Sequence, residues 1–183
     1  MLQELGADLS KTDGEGRTPA RMAAAGGHAD CLKLLLEAGC DLSVPCSNGA
    51  TPAFMAAQNG HADCLKLLLE AGCDLSVPRS DGATPAFMAA QNGHADCLKL
   101  LLEAGCDLSV PGINGATPAY VAAQDGHADC LKVLLEAECD LSVPCSDGST
   151  PAFMAAAYGH ADCLKLLLEA GCDLSVPRSD GAT

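Results

Sequence analysis

The chain has 183 residues, a formal net charge of -14 at pH 7 and an aromatic content of only 3%. A chain this acidic repels phosphate backbones and anionic lipid headgroups, so nucleic acid and membrane surfaces are poor partners, and a protein partner with a basic or neutral surface is favoured. No stretch approaches the roughly 18 apolar residues that cross a bilayer, and no basic segment with an apolar run opens the chain, so an intracellular, cytoplasmic location is expected.

One segment organises the whole chain. The sequence GHADCLKLLLEAGCDLS at 60–76 returns almost unchanged every 33 residues. Because a single copy of such a unit cannot bury its own apolar face, a period of this size predicts a stacked array. We therefore expect an all-α repeat solenoid of helix-turn-helix units joined by β-hairpins, existing as a monomeric array.

The repeat divides the chain from end to end. Residues 1–12 match the tail of a repeat, and residues 178–183 match the start of one. Since both ends fall within a repeat, we expect a fragment of a longer array or of a larger protein. Five full units, numbered 1 to 5 below, are predicted at 13–45, 46–78, 79–111, 112–144 and 145–177.

Unit 1 shows the local pattern that predicts two helices. Thr18 before Pro19 is typical of a helix start, because the hydroxyl can accept from a free amide of the first turn and proline has no amide to leave unpaired. Gly26 and Gly27 end that helix after about two turns. Asp30 lies in the first turn of a second helix, where the helix dipole favours an anion, and Gly39 closes it.

The second helix and the segment after it are also patterned. The helix leaves Asp30, Lys33 and Glu37 for water and turns a broad leucine face inward. An extended segment at 41–45 leads to a tip with Asn48-Gly49, a pair that supplies the positive φ angles of a hairpin turn. We call the five connecting segments at 13–17, 46–50, 79–83, 112–116 and 145–149 the tips.

Cysteine is unusually frequent, with twelve residues, ten of which recur at two positions of each unit. Cys31 and Cys40 would lie about 12 Å apart along one helix, and equivalent cysteines of adjacent units about 8 to 10 Å apart, both too far for a disulfide. Reduced thiols are therefore predicted. Cys46 and Cys145 occupy tips, where we expect them to be exposed.

The repeat resembles the ankyrin repeats, and the resemblance covers the whole chain. In unit 2 the matching segments are Gly49-x-Thr51-Pro52, Ala56-Ala57, Gly60-His61 and 67–74, and five Thr-Pro pairs follow the same spacing. The resemblance implies stacked helix pairs, a non-enzymatic role, and contact with a protein partner through the concave surface formed by tips and first helices.

Two departures from the family pattern bear on stability. Where the family has Leu-His after Thr-Pro, unit 2 has Ala53 and Phe54, and we interpret the ring as filling the space that the smaller alanine leaves. Glu138 replaces the glycine that ends the second helix in the other units. A residue other than glycine at that point costs on the order of 1 kcal/mol, so we expect a locally weaker junction.

The sequence holds few candidates for chemistry. Five His-x-x-Cys pairs, such as His61 and Cys64, could place two metal ligands on one helix face, but stacking separates successive pairs by about 10 Å and zinc requires four ligands at one point. We interpret these cysteines as apolar fillers and the histidines as polar contacts at a helix start. No catalytic residue, metal site or cofactor is predicted.

Differences between the near-identical copies indicate where a partner would bind. The second helices hardly vary, whereas the tips and the ends of the first helices do, as loops can without disturbing a stack. The positions predicted to contact a partner are Asn48, Gln58, Asn59, Arg79, Asp81, Gln91, Asn92, Ile113, Asn114, Gln124, Asp125, Asp147 and Tyr158.

The sequence therefore favours a non-enzymatic scaffold that binds a partner protein through the tips and the concave helix face. An alternative is a targeting or regulatory segment of a larger enzyme, ubiquitin-ligase adaptor or channel. A third hypothesis is a cysteine-rich metal or redox array. This hypothesis predicts either bound metal or protected thiols.

Overall fold

The computed structural model describes residues 11–42, 44–112 and 114–172. In those residues the secondary structure is entirely helical, which confirms the predicted all-α repeat architecture. None of the described helices is long and apolar enough to cross a membrane. The helices are α1 Pro19–Ala25, α2 Ala29–Glu37, α3 Pro52–Gln58, α4 Ala62–Glu70, α5 Pro85–Gln91, α6 Ala95–Glu103, α7 Pro118–Gln124, α8 Ala128–Glu136, α9 Pro151–Ala157 and α10 Ala161–Glu169.

Each unit contains one pair, and the first helix of each pair begins as predicted at Thr-Pro. In unit 2 the Phe54 amide donates to Thr51 Oγ1 at 3.1 Å, and Pro52 occupies the first turn. The same bond forms in the other four units. These threonines are buried, so their capping bonds are shielded from competing water.

The second helix of each pair begins after a histidine whose side chain makes no capping bond, and an aspartate stands in its first turn. Glycine in the left-handed region follows its end, with φ of 76° at Gly39, Gly72 and Gly105. Glu138 takes this conformation at φ 57°, as no other non-glycine residue does in the described part of the chain.

The tips close as tight turns, as predicted for β-hairpins. The flanking segments are not strands, since the described residues include none. In unit 2 the Gly49 amide donates to the Cys46 carbonyl at 2.8 Å, and the Cys46 amide donates to the Ala50 carbonyl at 3.1 Å. Only the glycine has positive φ, so the expectation that Asn48 shares this conformation was wrong. This is a three-residue loop, which needs one left-handed residue rather than two.

The stack has two layers with different side chains between them. The first helices contribute mostly alanine, while the second helices contribute leucines such as Leu65, Leu98 and Leu131, all fully buried. Neighbouring first helices, which meet through their alanines, pack more extensively than neighbouring second helices do. We call the first helices together with the tips the inner face, and the second helices the outer face.

The Gly-His pair joins consecutive units. A Cβ atom on Gly60 would lie 2.5 Å from Nδ1 of His94, in the next unit, and Gly60 also has a φ of 75°. In the preceding junction His61 Nε2 lies 3.1 Å from the Ala25 carbonyl oxygen, within hydrogen-bond distance. The glycine thus provides both the turn and the space for the neighbouring imidazole, and the histidines are polar contacts as interpreted from the sequence.

All twelve cysteines are free thiols. On the second helices Cys64, Cys97, Cys130 and Cys163 are buried, which fits the interpretation as apolar filler, whereas Cys31 at the same repeat position is exposed. Burial raises the pKa of Cys97 to about 11 and that of Cys130 to about 12. Cys46 is only 9% exposed, so the expectation of an exposed tip thiol was wrong there, and Cys145 is half-buried.

A candidate protein-binding surface

Charge divides the two faces of the stack. Every second helix carries one aspartate, one lysine and one glutamate, and another aspartate follows the helix, so the outer face is acidic in every unit. Residues 46–58 of unit 2 carry no charged side chain, and residues 79–91 of unit 3 carry one of each sign. The inner face of these units is therefore close to neutral, although the chain as a whole is strongly acidic.

Charges on the outer face are partly paired with one another. Lys132 Nζ lies 2.7 Å from Asp129 Oδ1, and Lys99 Nζ lies 3.7 Å from Asp96 Oδ1. The hydrogen bond from Lys132 holds the pKa of Asp129 below its ordinary value. All four side chains are largely exposed, so pairs of this kind contribute little to stability.

Several tip residues predicted to contact a partner also shape their own turns. Asn48 Oδ1 accepts the Ala50 amide at 3.1 Å and the Cys46 thiol at 2.6 Å. Asp147 Oδ1 accepts the Ser149 amide at 2.8 Å. Both residues are exposed at the surface of their tips. A substitution there would change the turn as well as the surface.

Arg79 has two internal contacts. Its guanidinium carbon lies 5.2 Å from the centroid of the Phe54 ring, in the geometry of a cation–π contact, and its Nε donates to both carboxylate oxygens of Asp81 at 2.9 Å. This bond holds the pKa of Asp81 below its ordinary value. Phe54 beneath it is fully buried, as the sequence interpretation required. The Arg79 side chain is 26% exposed and is largely engaged within the stack.

The ends of the first helices form a row of amide side chains across the units. Asn59 Nδ2 donates to the Ala25 carbonyl at 2.8 Å, and Asn92 Nδ2 donates to the Gln58 carbonyl at 2.9 Å. These two asparagines therefore link neighbouring units. Gln58 and Gln91 are half-buried, and in the part of the chain that the structure describes their side chains take no internal hydrogen bond.

The remaining predicted residues lie toward units 4 and 5. Gln124 makes a weak contact of 3.5 Å with the exposed Asp125. Asn114 is exposed at its tip, and Tyr158 is 61% exposed at the end of α9. Ile113, also predicted to contact a partner, lies outside the described residues.

Aromatic side chains form a row along the inner face, and the sequence prediction missed their contacts with the tips. Tyr120 is buried and its hydroxyl lies 3.0 Å from the Ser149 hydroxyl, in the next unit. Phe87 is only half-buried, and the residue of the next tip that faces it is Gly112. The rings of Phe54, Phe87 and Tyr120 thus each meet the tip of the following unit. Aligning tip residues with the ring one unit earlier would have found this relation.

The histidine and cysteine rows do not converge on a metal site. Within the described ranges, no group of three or more His, Cys, Asp or Glu side chains is placed to hold a metal ion. The rows run along the stack, and burial raises the pKa of the Cys97 and Cys130 thiols, which makes the reactive thiolate scarce at these two positions at neutral pH.

The chain was compared with models of protein families and with curated proteins. A family model described as ankyrin repeats in three copies matches residues 1–79, 23–111 and 86–178. A search of curated proteins found no match.

Proposed function

The chain belongs to the ankyrin-repeat family, whose repeats are generally protein–protein interaction modules, and we propose that it is a non-enzymatic scaffold that binds a partner protein through its inner face. The observation that carries the proposal is the separation of a uniform framework from a varied, nearly neutral surface. The proposal assigns no catalytic residue, cofactor or metal, and the family is typically non-enzymatic.

Two features support the inner face over the outer face. The second helices of units 1, 2, 3 and 5 have the same sequence, ADCLKLLLE, so the outer face offers the same acidic surface repeatedly. The inner face differs between units at the tips and helix ends. A partner that distinguishes this array from another would therefore make its specific contacts there.

Hydrogen bonding divides the predicted contact residues into two groups. Gln58, Gln91, Asn114 and Tyr158 have side chains that are accessible and lack internal hydrogen bonds within the described residues, so they are the proposed direct contacts. Gln124 and Asp125 join them as weakly engaged neighbours. The second group is engaged within the stack and is proposed to fix the shape of the surface: Asn48, Asn59, Arg79, Asp81, Asn92 and Asp147.

The test is a pull-down from native lysate with the full chain and two matched variants. The inner-face variant changes Gln58, Gln91 and Tyr158 to Ala, and none of these side chains hydrogen-bonds to another described residue. The outer-face variant changes Glu70 and Glu103 to Gln, which keeps side-chain size and removes charge from two exposed positions. Circular dichroism with a urea titration establishes that both variants fold like the original chain.

We expect a partner that is retained by the original chain and the outer-face variant but lost with the inner-face variant. A partner lost with the outer-face variant would show that the acidic face binds instead. Failure of the original chain to retain any protein would count against the scaffold function itself.

A further inference from the structure

Unit 1 has an apolar surface that the corresponding residues of the other units bury. Cys31 is exposed, whereas the cysteines at this position of units 2 to 5 are at most 1% exposed. Met22 is 45% exposed and Leu34 is 58% exposed, and the residues at these positions of the other units are buried or half-buried. We call this surface the N-terminal end face, which consists of Pro19, Met22, His28, Cys31 and Leu34.

Unit 5 has the complementary surface at the other end of the described stack. Ala156 is exposed, whereas the alanines at this position of units 1 to 4 are 0% exposed. Leu164 is half-buried, whereas the leucines at its position in those units are also 0% exposed. Repeat arrays ordinarily stay apart in solution because their end units carry polar outer faces. We call this apolar surface the C-terminal end face, which consists of Ala156, Gly159, Ala161, Leu164 and Leu168.

The four internal junctions show what the two end faces fit. At each junction a Cβ atom on the glycine of one unit would lie 2.5 or 2.6 Å from Nδ1 of the next unit's imidazole, as between Gly60 and His94. Gly159 has the same backbone, with a φ of 78°, but a Cβ atom there would meet no atom of the described residues within 4 Å. His28, the matching imidazole of unit 1, is exposed, while the other four histidines are half-buried. Each end therefore has one half of the contact that every internal junction makes.

Charge gives this contact a direction. The hydrogen bond from Lys132 lowers the pKa of Asp129, and the charge of Lys99 in the preceding unit lowers it further. The lysine of one unit thus lies close enough to the aspartate of the next unit to act on it. At the two ends of the stack, the matching residues are Lys165 and Asp30. Joining unlike end faces brings these opposite charges together, whereas joining two N-terminal end faces brings two aspartates together.

From these observations we propose that the chain associates with further copies of itself, the C-terminal end face of one copy packing on the N-terminal end face of the next. Both faces come from the same repeat, so the contact between copies continues the stack with the junction already present inside the chain. His28 of one copy lies against Gly159 of the other, in the arrangement of the internal junctions. Because two different surfaces meet, the association is open and produces longer chains rather than a closed dimer.

The test is sedimentation velocity of the full chain over a wide range of protein concentration. A reductant excludes a disulfide through exposed Cys31, and about 300 mM salt screens the repulsion between acidic copies. We expect the average mass to rise with concentration from the monomer value of 18.5 kDa to dimers and longer chains. A monomer at every concentration, with the end faces left to a different partner or to residues 1–10 of the same chain, would overturn the inference.

Two variants each block one end face. Cys31→Glu and Ala156→Glu change residues that are exposed in the chain, at positions that the internal junctions bury almost completely. Each variant alone should stay monomeric. An equimolar mixture should form a dimer and nothing larger, because it retains one intact face of each kind. Dimers of Ala156→Glu alone or of Cys31→Glu alone would show that like faces pair, and would overturn the proposed arrangement.

Two controls separate the end faces from general effects of substitution. Ala71→Glu adds the same charge at an exposed position of unit 2 and should associate like the original chain. Gly159→Ala should lose association because its Cβ atom would collide with His28 of the next copy. Gly105→Ala also lies at positive φ and meets nothing within 4 Å, so it should associate normally. Equal behaviour of the two alanine variants would refute the Gly159 contact.

A second measurement needs no variant and decides the question if a glutamate variant does not fold. Association buries Cys31, so its alkylation by iodoacetamide should slow as the protein is concentrated. Cys145, on the tip of unit 5, lies outside both end faces and should react at an unchanged rate. A Cys31 rate independent of concentration would overturn the inference. The inner face lies outside this contact, so that result would leave the scaffold function standing.

Discussion

Glu138 offers the sharpest test of the local energetics, because the other units contain the matched control. It ends the second helix of unit 4 at φ 57°, where Gly72 and Gly105 have φ of 76°. A Cβ atom on either glycine would meet nothing within 4 Å, so a side chain at this position has room. The cost of Glu138 is therefore in the backbone, and Glu138→Gly should stabilise the array.

The expected size follows from two opposing effects. An L-residue in the left-handed region costs about 1–2 kcal/mol, whereas a new glycine gives the unfolded chain extra freedom worth about 0.4–1 kcal/mol. The net gain is about 1 kcal/mol. Urea unfolding followed by circular dichroism measures it globally, and exchange of the Cys139 amide, which donates to the Leu134 carbonyl at 3.0 Å, measures it locally. That exchange should slow about fivefold.

Two further variants separate the backbone from the charge. Glu138→Ala removes a carboxylate from the negative end of α8 but keeps a Cβ atom, so it should recover only the helix-dipole part, about 0.3–1 kcal/mol at most. Gly105→Glu introduces the same backbone strain in unit 3. It should lower the free energy of unfolding by about as much as Glu138→Gly raises it. If Glu138→Ala stabilised as much as Glu138→Gly, the charge and not the positive φ would be the cause.

Three other predictions follow from the junctions. Gly93→Ala should destabilise the array more than Gly105→Ala in urea unfolding, because both have positive φ but only the Cβ at 93 would lie 2.6 Å from the neighbouring imidazole; equal effects would refute a role for the ring. Iodoacetamide at pH 8 should alkylate exposed Cys31 well before Cys130, whose pKa burial raises to about 12, and peptide mass spectrometry would show any reversal of that order. Burial lowers the pKa of His94, so the His94 ring binds a proton less readily in the folded state than in the unfolded state. The free energy of unfolding therefore keeps its full value above about pH 6.5 and decreases as the pH falls below it. Urea midpoints between pH 7.5 and 5 should therefore fall less for His94→Gln than for the original chain.

The acidic outer face contributes to any binding measurement made with a basic partner. The outer face repeats one aspartate, one lysine and one glutamate on each second helix, so it attracts basic molecules regardless of their shape. The inner face of units 2 and 3 is close to neutral. The matched outer-face variant, Glu70→Gln with Glu103→Gln, therefore distinguishes general attraction to the acidic face from specific binding at the inner face.

The sequence by itself determined the helix pairs and their ends. Thr51 and Pro52 define the start of a helix, and Gly72 allows the chain to change direction after the next one. Glu138 could be identified as the exception because the equivalent residues of the other units are glycine. These effects are local, since capping bonds and φ preferences act over one turn of chain. They set where each helix of a unit begins and ends, independently of the neighbouring units.

Only the tertiary structure decided what each unit does to the next. Gly60 leaves space for His94, Arg79 covers Phe54, and Cys46 is buried in a tip where the sequence suggested exposure. Each of these is set by packing between elements, and the first two involve residues from different units. Such contacts depend on how closely and at what angle the units stack, and near-identical repeats carry no local pattern that specifies it. Phe54 and Phe87 occupy the same position of the repeat, yet the Phe54 ring beneath Arg79 is buried, whereas the Phe87 ring, which faces Gly112, is half-buried.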